Sequence, residues 1–123
     1  MRIIDHDGIV VQHLDEVGPV IATSADTSDL IGNAWAAQAD LVAVPVSRLD
    51  PEFFRLRSGM AGEILQKAVN YHLQIAVVGD ISEHLAASEA LRAFVAESNR
   101  GQHAWFVPDE AALEAQIARI RRV

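Results

Sequence analysis

Leu41-Val42-Ala43-Val44-Pro45-Val46 is the stretch that decides the fold. It is too short for a helix and rich in β-branched residues, which is typical of a strand buried on both faces of a sheet. Two later segments repeat the pattern, Gln74–Gly79 and His103–Val107. Segments with apolar residues at helical spacing lie between these three strands, and another follows the last strand. The alternation of strand and helix predicts a largely parallel sheet joined by right-handed crossovers.

The residues before this stretch predict an antiparallel hairpin and a first helix. Ile3-Ile4 and Ile9-Val10-Val11 flank Asp7-Gly8, a dipeptide that favours the positive backbone angles of a tight turn. Residues 20–22 are either a short third strand or an irregular approach to the helix. Asp26 starts the first helix by this reading. Its apolar positions are Leu30, Ile31, Ala34 and Trp35.

Three further helices are expected after a short helical turn at Pro51–Phe54. The second helix runs from about Gly59, with one stripe formed by Ala61, Leu65, Ala68 and His72. Ser88 caps the third helix and Gly101 stops it, and the fourth follows Pro108-Asp109. We therefore expect one α/β domain over residues 1–123. An N-terminal hairpin leads into a mixed, largely parallel sheet that packs with about four helices.

Composition narrows the class of protein. The chain has 123 residues, of which 50% are hydrophobic and 22% charged, so one ordered domain with its own core is expected. No cysteine is present, which excludes thiolate metal sites, disulfides and a cysteine nucleophile. The five histidines have no close ligand-like spacing. We expect neither a metal nor a cofactor.

Charge and hydropathy exclude two kinds of partner. The formal net charge is −7, and residues 1–46 hold seven acids against one base. Such a domain lacks the basic face that nucleic-acid binding requires. No apolar run approaches the roughly 18 residues of a membrane span. The first residues turn acidic before a signal-peptide core could form, so a cytoplasmic protein is expected.

The carboxyl ends of parallel strands meet at one edge of a sheet, where ligands tend to bind. Ser58 falls at the predicted start of the second helix, where its hydroxyl caps the helix or the free amides bind a phosphate. Arg55 and Arg57 either pair with Asp50 and Glu52 or serve a bound anion or a phosphorylated Ser58. Asp80 follows the next strand and joins the same edge.

Two other polar groups admit a structural and a functional interpretation. Glu63 and Lys67 are spaced as a helix-stabilising i,i+4 pair, or they form a ligand-binding pair with Asn70. Asn99 and Arg100 belong to a polar cluster that ends the third helix. The alternative for that cluster is a partner-facing role. No serine lies in a nucleophile elbow, so no catalytic residue is assigned.

The last predicted strand carries two neighbouring aromatic residues, Trp105 and Phe106, which must point to opposite faces of the sheet. Helices on both faces would bury both side chains. If helices cover only one face, the exposed aromatic residue marks a partner surface, and a homodimer through the Trp105 strand is then expected.

Four motifs resemble the bacterial family known as domain of unknown function 4180, for which no activity is established. They are Gly62-Glu63-Ile64-Leu65-Gln66-Lys67, Asn70-Tyr71, Ala76-Val77-Val78-Gly79-Asp80 and Glu97-Ser98-Asn99-Arg100-Gly101. Their order and spacing extend the likeness over nearly the whole chain.

A more distant resemblance, in element order, is to the STAS domains of anti-sigma-factor antagonists. In those domains a partner kinase phosphorylates a serine or threonine at the start of the second helix. Ser58-Gly59-Met60 falls at the matching place. The family has an acid just before the phosphorylated residue, whereas this chain has Arg57, and its loop over residues 47–57 is longer. The resemblance implies a STAS-like fold and a phosphosite at Ser58.

These observations favour a non-enzymatic, STAS-like regulatory or interaction module. It would bind a protein partner or a small anion near Ser58. The rival interpretation is a small-molecule-binding protein or enzyme. Its polar site would consist of Arg57, Glu63, Lys67, Asp80 and Arg100. A deep pocket gathering these five side chains would favour the rival, and a flat edge the module.

Overall fold

The computed structural model describes residues 2–120. The strands are β1 (Arg2–His6), β2 (Ile9–His13), β3 (Leu41–Pro45), β4 (Gln74–Val78) and β5 (Ala104–Val107). The α-helices are α1 (Ser24–Ala36), α2 (Met60–Asn70), α3 (Ser82–Ala87), α4 (Glu89–Arg100) and α5 (Glu110–Ile120). Short 3₁₀ turns lie between β3 and α2 at Val46–Arg48, Pro51–Phe54 and Leu56–Ser58.

The strands form one mixed sheet in the order β1-β2-β3-β4-β5. β1 and β2 are antiparallel, and each later neighbour is parallel to the strand before it. Asp7 (φ 52°) and Gly8 (φ 102°) form the hairpin turn, so the predicted hairpin and largely parallel sheet are confirmed. Residues 20–22 form no strand. Ile21 makes an isolated parallel bridge to Leu49.

Helices cover both faces of the sheet. Right-handed crossovers that step one strand at a time in the same direction leave their helices on one face, and buried residues of α1, α2 and α4 share a cluster with Val42 and Val44. α5 covers the other face. Its Leu113 and Ile117 pack in a second cluster with Ala43 and Trp105.

Burial of the last strand follows from this two-sided packing. Trp105 and Phe106 point to opposite faces, and their side chains are both buried. From the sequence, an exposed aromatic side chain is the condition for a partner surface on this strand. Trp105 does not meet that condition within this chain, because it is buried. Leu113 and Ile117, one turn apart on α5, are each fully buried. Their burial stabilises the docked helix by about 3–6 kcal/mol together.

The first helix differs from the expectation at both ends. Thr23, not Asp26, is the N-cap: its side chain accepts a hydrogen bond from the Asp26 amide. Asp26 completes the capping box by accepting from the Thr23 amide at 3.0 Å. Trp35 lies on the outer side of α1 with 63% of its surface exposed, because Leu30, Ile31 and Ala34 already form the buried stripe.

Other helix boundaries test the remaining predictions. Ser88 caps α4 through the Leu91 amide, and Gly101 ends it, as expected. α3 was not expected, and with it the chain has five α-helices among residues 2–120. His72 is exposed and lies beyond the end of α2 with φ 58°, so its predicted place on the buried stripe is wrong. None of the helices in residues 2–120 combines the length and apolar character that a membrane crossing requires.

Candidate functional site

The loops that follow β3 and β4 lie side by side at the carboxyl edge of the sheet. The clearest contact between them is the Phe54 ring stacked on the His84 imidazole, with 4.3 Å between centroids. We call residues 50–58 and 80–84 the Ser58 rim. Ser58 and Asp80 thus share one edge, as the parallel strand order requires.

Ser58 is exposed and uses its hydroxyl twice. The Oγ–H donates to the carbonyl oxygen of Glu52 at 2.7 Å, and Oγ accepts from the Met60 amide at 3.2 Å. The residue at the N-cap of α2 is Gly59, with φ 79°, a left-handed conformation that glycine adopts without strain. Ser58 therefore accepts a hydrogen bond from the first turn of α2, although it lies one position before the N-cap.

The two arginines of the rim differ in their partners. Arg55 Nη1 lies 2.8 Å from Oε1 of Glu52, which is the pairing that the structural interpretation predicts. Arg57 is exposed and forms no ion pair within residues 2–120. One guanidinium beside Ser58 is therefore available to an incoming anion.

Asp80 lies at the other side of the rim, immediately after β4. Its Oδ1 accepts from the Ser82 amide at 2.8 Å. This backbone hydrogen bond and a second one from the Ser82 side chain lower the pKa of Asp80, which is exposed. Asp80 is therefore an anchored carboxylate at the turn into α3.

Glu63 and Lys67 do not pair with each other among the described residues. Glu63 accepts from the Ser24 hydroxyl at 2.8 Å and 3.0 Å. Lys67 Nζ donates to Ser28 Oγ at 2.8 Å. Both partners are on α1, so these two side chains connect neighbouring helices, and the expected i,i+4 pair is replaced by contacts across the helix interface. Asn70 instead accepts from Gln66.

Asn99 and Arg100 lie apart from the Ser58 rim. The Asn99 amide binds the backbone of Phe106 on the edge strand β5. Arg100 is exposed near Glu97, 3.5 Å away, at the end of α4 that leads into the amino end of β5. The structure thus brings Arg55, Arg57, Ser58 and Asp80 to one edge and leaves Asn99 and Arg100 elsewhere.

The three cavities described for residues 2–120 do not gather the five residues of the rival site. A cleft of about 420 Å³ lies between the loop after β2 and α1. Two of its polar residues already serve the fold, because Arg48 binds the carbonyls of Asp15 and Pro19 and Asp26 completes the capping box of α1. Another hollow includes Arg100 together with Trp105 and neighbours from α5. None of the cavities described contains Glu63, Lys67 or Asp80.

His13 is a buried polar residue that the sequence-based reasoning missed. It ends β2, is 5% exposed, and its Nε2 has no hydrogen-bond partner among residues 2–120. Its ring centroid lies 5.9 Å from that of His6, whose Nε2 also has no hydrogen-bond partner in the described part of the chain. Burial, and then the charge of Arg2, lower the pKa of His13. The period-2 alternation of Ile9, Val11 and His13 was the signal that could have placed this ring on a buried face.

His13 lines a cavity of about 190 Å³ on the α5 side of the sheet. The cavity lies where β2, β3, β4 and β5 end. Its other lining residues are Leu14, Glu16, Ala43, Pro45, Val78, Gly79, Pro108, Asp109 and Glu110. We call it the His13 cavity. No group of three or more histidine or carboxylate side chains in the described chain is arranged to hold a metal ion.

Fold and site together define a mixed α/β domain with Arg55, Arg57, Ser58 and Asp80 at the carboxyl edge of a five-stranded sheet. The chain belongs to the family described as domain of unknown function (DUF4180), whose model matches residues 6–117. The family expected from the four sequence motifs is thereby confirmed. Neither the curated proteins nor the solved structures include a match to the chain.

Proposed function

We propose that this protein is a STAS-like regulatory or interaction module, without enzymatic activity, that docks a protein partner at the Ser58 rim. Phosphorylation of Ser58 controls the docking. The observation that carries the proposal is the exposed Ser58 at the start of α2, next in sequence to Arg57, which forms no ion pair within residues 2–120. A small anion is the other ligand that this geometry accommodates.

The rim has the rigidity that a docking surface benefits from. Asp50 accepts from the Glu52 amide at 2.9 Å, which fixes the start of the 3₁₀ turn. Phe53 and Phe54 are buried, and Phe54 stacks on His84 across the two loops. A surface that is already ordered loses little conformational entropy when a partner binds.

Phosphorylation of Ser58 would change the rim in two ways. Esterification removes the O–H group, so the Glu52 carbonyl loses its donor and the loop loses a restraint. The phosphate adds a charge of about −1.5 to −2 at a helix N-terminus. Arg57 is the cation available to it in the same turn. Both effects alter the shape and the charge that a partner contacts.

The arrangement of side chains supports a module over the rival small-molecule site. Glu63 and Lys67 are committed to Ser24 and Ser28 on α1. Arg100 lies at the end of α4, away from Asp80 on the Ser58 rim. A catalytic constellation requires its groups within hydrogen-bond reach of one substrate, and these groups are dispersed.

Affinity capture from a lysate of the source cells, compared across matched variants, tests the proposal. Wild-type protein should retain a partner that Ser58→Asp loses by at least about tenfold, because a misplaced charge in an interface costs several kcal/mol. Ala115→Asp, which adds the same charge on an exposed position of α5, should retain it. Equal capture by all three proteins contradicts the proposal.

Two further measurements separate the alternatives. After incubation with lysate and ATP, mass spectrometry should detect phosphate on Ser58, and the Ser58→Ala protein should carry none at this position.

Direct anion binding is measured by titration with inorganic phosphate, monitored through the amide resonances of residues 59–61. Arg57→Gln should weaken that binding. A protein with neither a partner, a phosphate on Ser58 nor an anion response does not have the proposed function.

A further inference from the structure

We propose that the hollow between the ends of α4 and α5 binds a small organic dianion, whose negative charges are held by Arg100 and Arg119. Its volume is about 420 Å³, and we call it the Arg119 hollow. It is lined by residues 99–102, Trp105, Gln116, Arg119 and Ile120. It adjoins the amino end of β5, at the opposite edge of the sheet from the Ser58 rim. The two sites share no residue, so this proposal does not depend on the proposed function.

The first argument is the charge of the lining. Two arginines line the Arg119 hollow, and no aspartate or glutamate is among its described lining residues. Each of the other two cavities described above has three acidic lining residues. The whole chain has 17 acids and 10 bases, so a hollow with two bases and no acid departs from its average composition. Such a lining favours an anion.

The second argument is that neither arginine is strongly neutralised. Arg119 forms no ion pair within residues 2–120, and its Nη1 donates to the neutral Oε1 of Gln116 at 3.0 Å. Arg100 Nη1 lies 3.5 Å from Oε2 of Glu97, and both side chains are largely exposed, so water screens the pair. The helix macrodipole accounts for one arginine at each helix end. Two like charges around one hollow still repel each other, and a bound dianion would offset that repulsion.

The third argument is the rigidity of the wall between α4 and β5. The indole Nε1–H of Trp105 donates to the Gly101 carbonyl at 2.9 Å. The side-chain amide of Gln74 donates to the Gln102 carbonyl. Gly101 and Gln102 both line the Arg119 hollow, so these hydrogen bonds fix its shape. An ordered wall loses little conformational entropy when a ligand binds.

The fourth argument is size and hydrogen-bonding capacity. The volume of about 420 Å³ lies within the range of roughly 300–1,000 Å³ that is typical of small-molecule pockets. Ile120 is half-buried and provides an apolar contact for a carbon skeleton. The side-chain amides of Gln102 and Gln116 can donate hydrogen bonds to anionic oxygens. The Arg119 hollow therefore suits a dianion with an apolar body, either a phosphate monoester or a dicarboxylate.

Titration of the full chain with phenyl phosphate, monitored by NMR at a pH well above the second phosphate pKa of about 6, tests the proposal. The indole N–H of Trp105 and the amides of Gly101 and Gln102 should shift and saturate. Trp35→Phe identifies which of the two indole resonances belongs to Trp105. The expected dissociation constant is about millimolar for a ligand of roughly ten non-hydrogen atoms.

Related ligands define the chemistry that the site recognises. Benzamide, which is neutral, should cause no saturable shift. Benzoate carries one charge and should bind at least about fivefold more weakly than phenyl phosphate. Isophthalate carries two carboxylates and compares a dicarboxylate with a phosphate monoester. Tighter binding of either dianion supports the proposal and identifies the anionic group.

Variants locate the site. Arg100→Gln and Arg119→Gln should each weaken phenyl phosphate binding by roughly fivefold, as expected for the loss of one exposed charge pair. Glu97→Gln should tighten binding by up to about twofold, because Arg100 loses its competing partner. Arg92→Gln, which removes the same charge from an exposed position of α4, should bind as the wild type does.

Three results overturn the proposal. The first is binding of benzamide as tight as that of phenyl phosphate. The second is unchanged phenyl phosphate binding by both Arg100→Gln and Arg119→Gln. The third is a set of shifts confined to residues 59–61, which would assign the anion to the Ser58 rim instead.

Discussion

The side-chain amide of Asn99 pairs with both polar groups of the Phe106 backbone. Asn99 Oδ1 accepts from the Phe106 amide at 2.7 Å, and Nδ2 donates to the Phe106 carbonyl at 3.2 Å. β5 is the last strand of the sheet, so these backbone groups point away from β4. Asn99 thus occupies the position that a further strand would take. Edge strands without such cover are prone to pair with other chains.

Asn99→Ala should destabilise the fold by about 1–3 kcal/mol, because it leaves the part-buried Phe106 groups without partners. It should also favour association through β5. Chemical denaturation and analytical ultracentrifugation measure the two effects. Asn70→Ala, which removes an exposed amide hydrogen-bonded to Gln66, is the control and should change stability by less than about 0.5 kcal/mol. An Asn99→Ala protein as stable and as monomeric as the control contradicts this interpretation.

Alanine substitutions at two glycines should change the free energy of unfolding in opposite directions. Gly79 has φ 143° and faces Val46, so Gly79→Ala combines backbone strain with a steric clash. A cost of at least about 1–3 kcal/mol is expected. Gly62 lies in α2, and no atom lies within 4 Å of the position that a Cβ would take, so Gly62→Ala should stabilise by up to about 1 kcal/mol. Thermal unfolding distinguishes the two. A neutral Gly79→Ala would show that the loop after β4 can move away from Val46.

His13 should make stability depend on pH. Burial and Arg2 lower its pKa in the folded state below the ordinary value of 6.5. Between these two values the unfolded chain binds more protons than the folded one. The contribution is therefore complete above about pH 6.5 and is lost as the pH falls towards the folded pKa. Urea denaturation at pH 7.5 and 5.5 measures the loss, which should be smaller in His13→Gln. An identical loss in both proteins would assign the pH dependence to other groups.

The polar contacts between α1 and α2 should couple across the helices. Double-mutant cycles for Ser24 with Glu63 and for Ser28 with Lys67 should each give a coupling energy of about 0.2–1 kcal/mol, because the groups are partly exposed. The cycle for Glu63 with Lys67 should give a smaller value. A larger coupling within α2 than between helices would support the i,i+4 pair that the sequence alone suggests.

Much of the secondary structure was predictable because each signal is local. The turn at Asp7-Gly8, the cap at Ser88 and the apolar segment at residues 41–46 depend on backbone preferences and periodicity within a few residues. α3 escaped prediction because six residues contain too few apolar positions for a helical period. The sequence also predicts Arg121 and Arg122 at the C-terminal end of the last helix, where cations are favoured, and these two residues lie outside the described part of the chain.

The site was less predictable because its contacts join residues far apart in the chain. Ser58 and Asp80 could be assigned to one edge from strand order alone, since parallel strands all end on the same side. The bonds of Glu63 and Lys67 could not, because they depend on how α2 faces α1. The same holds for Asn99, whose partner is decided by which strand lies at the edge of the sheet.

By itself the sequence determined the family, the alternation of strands and helices, and the residues that end at the carboxyl edge. Only the tertiary structure decided that α5 covers the second face, that Trp105 is buried, and that His13 Nε2 has no hydrogen-bond partner among the described residues. The physical reason is the distance along the chain over which each effect acts. Propensity and periodicity act over a single element, whereas burial and hydrogen-bond satisfaction depend on which elements meet in space.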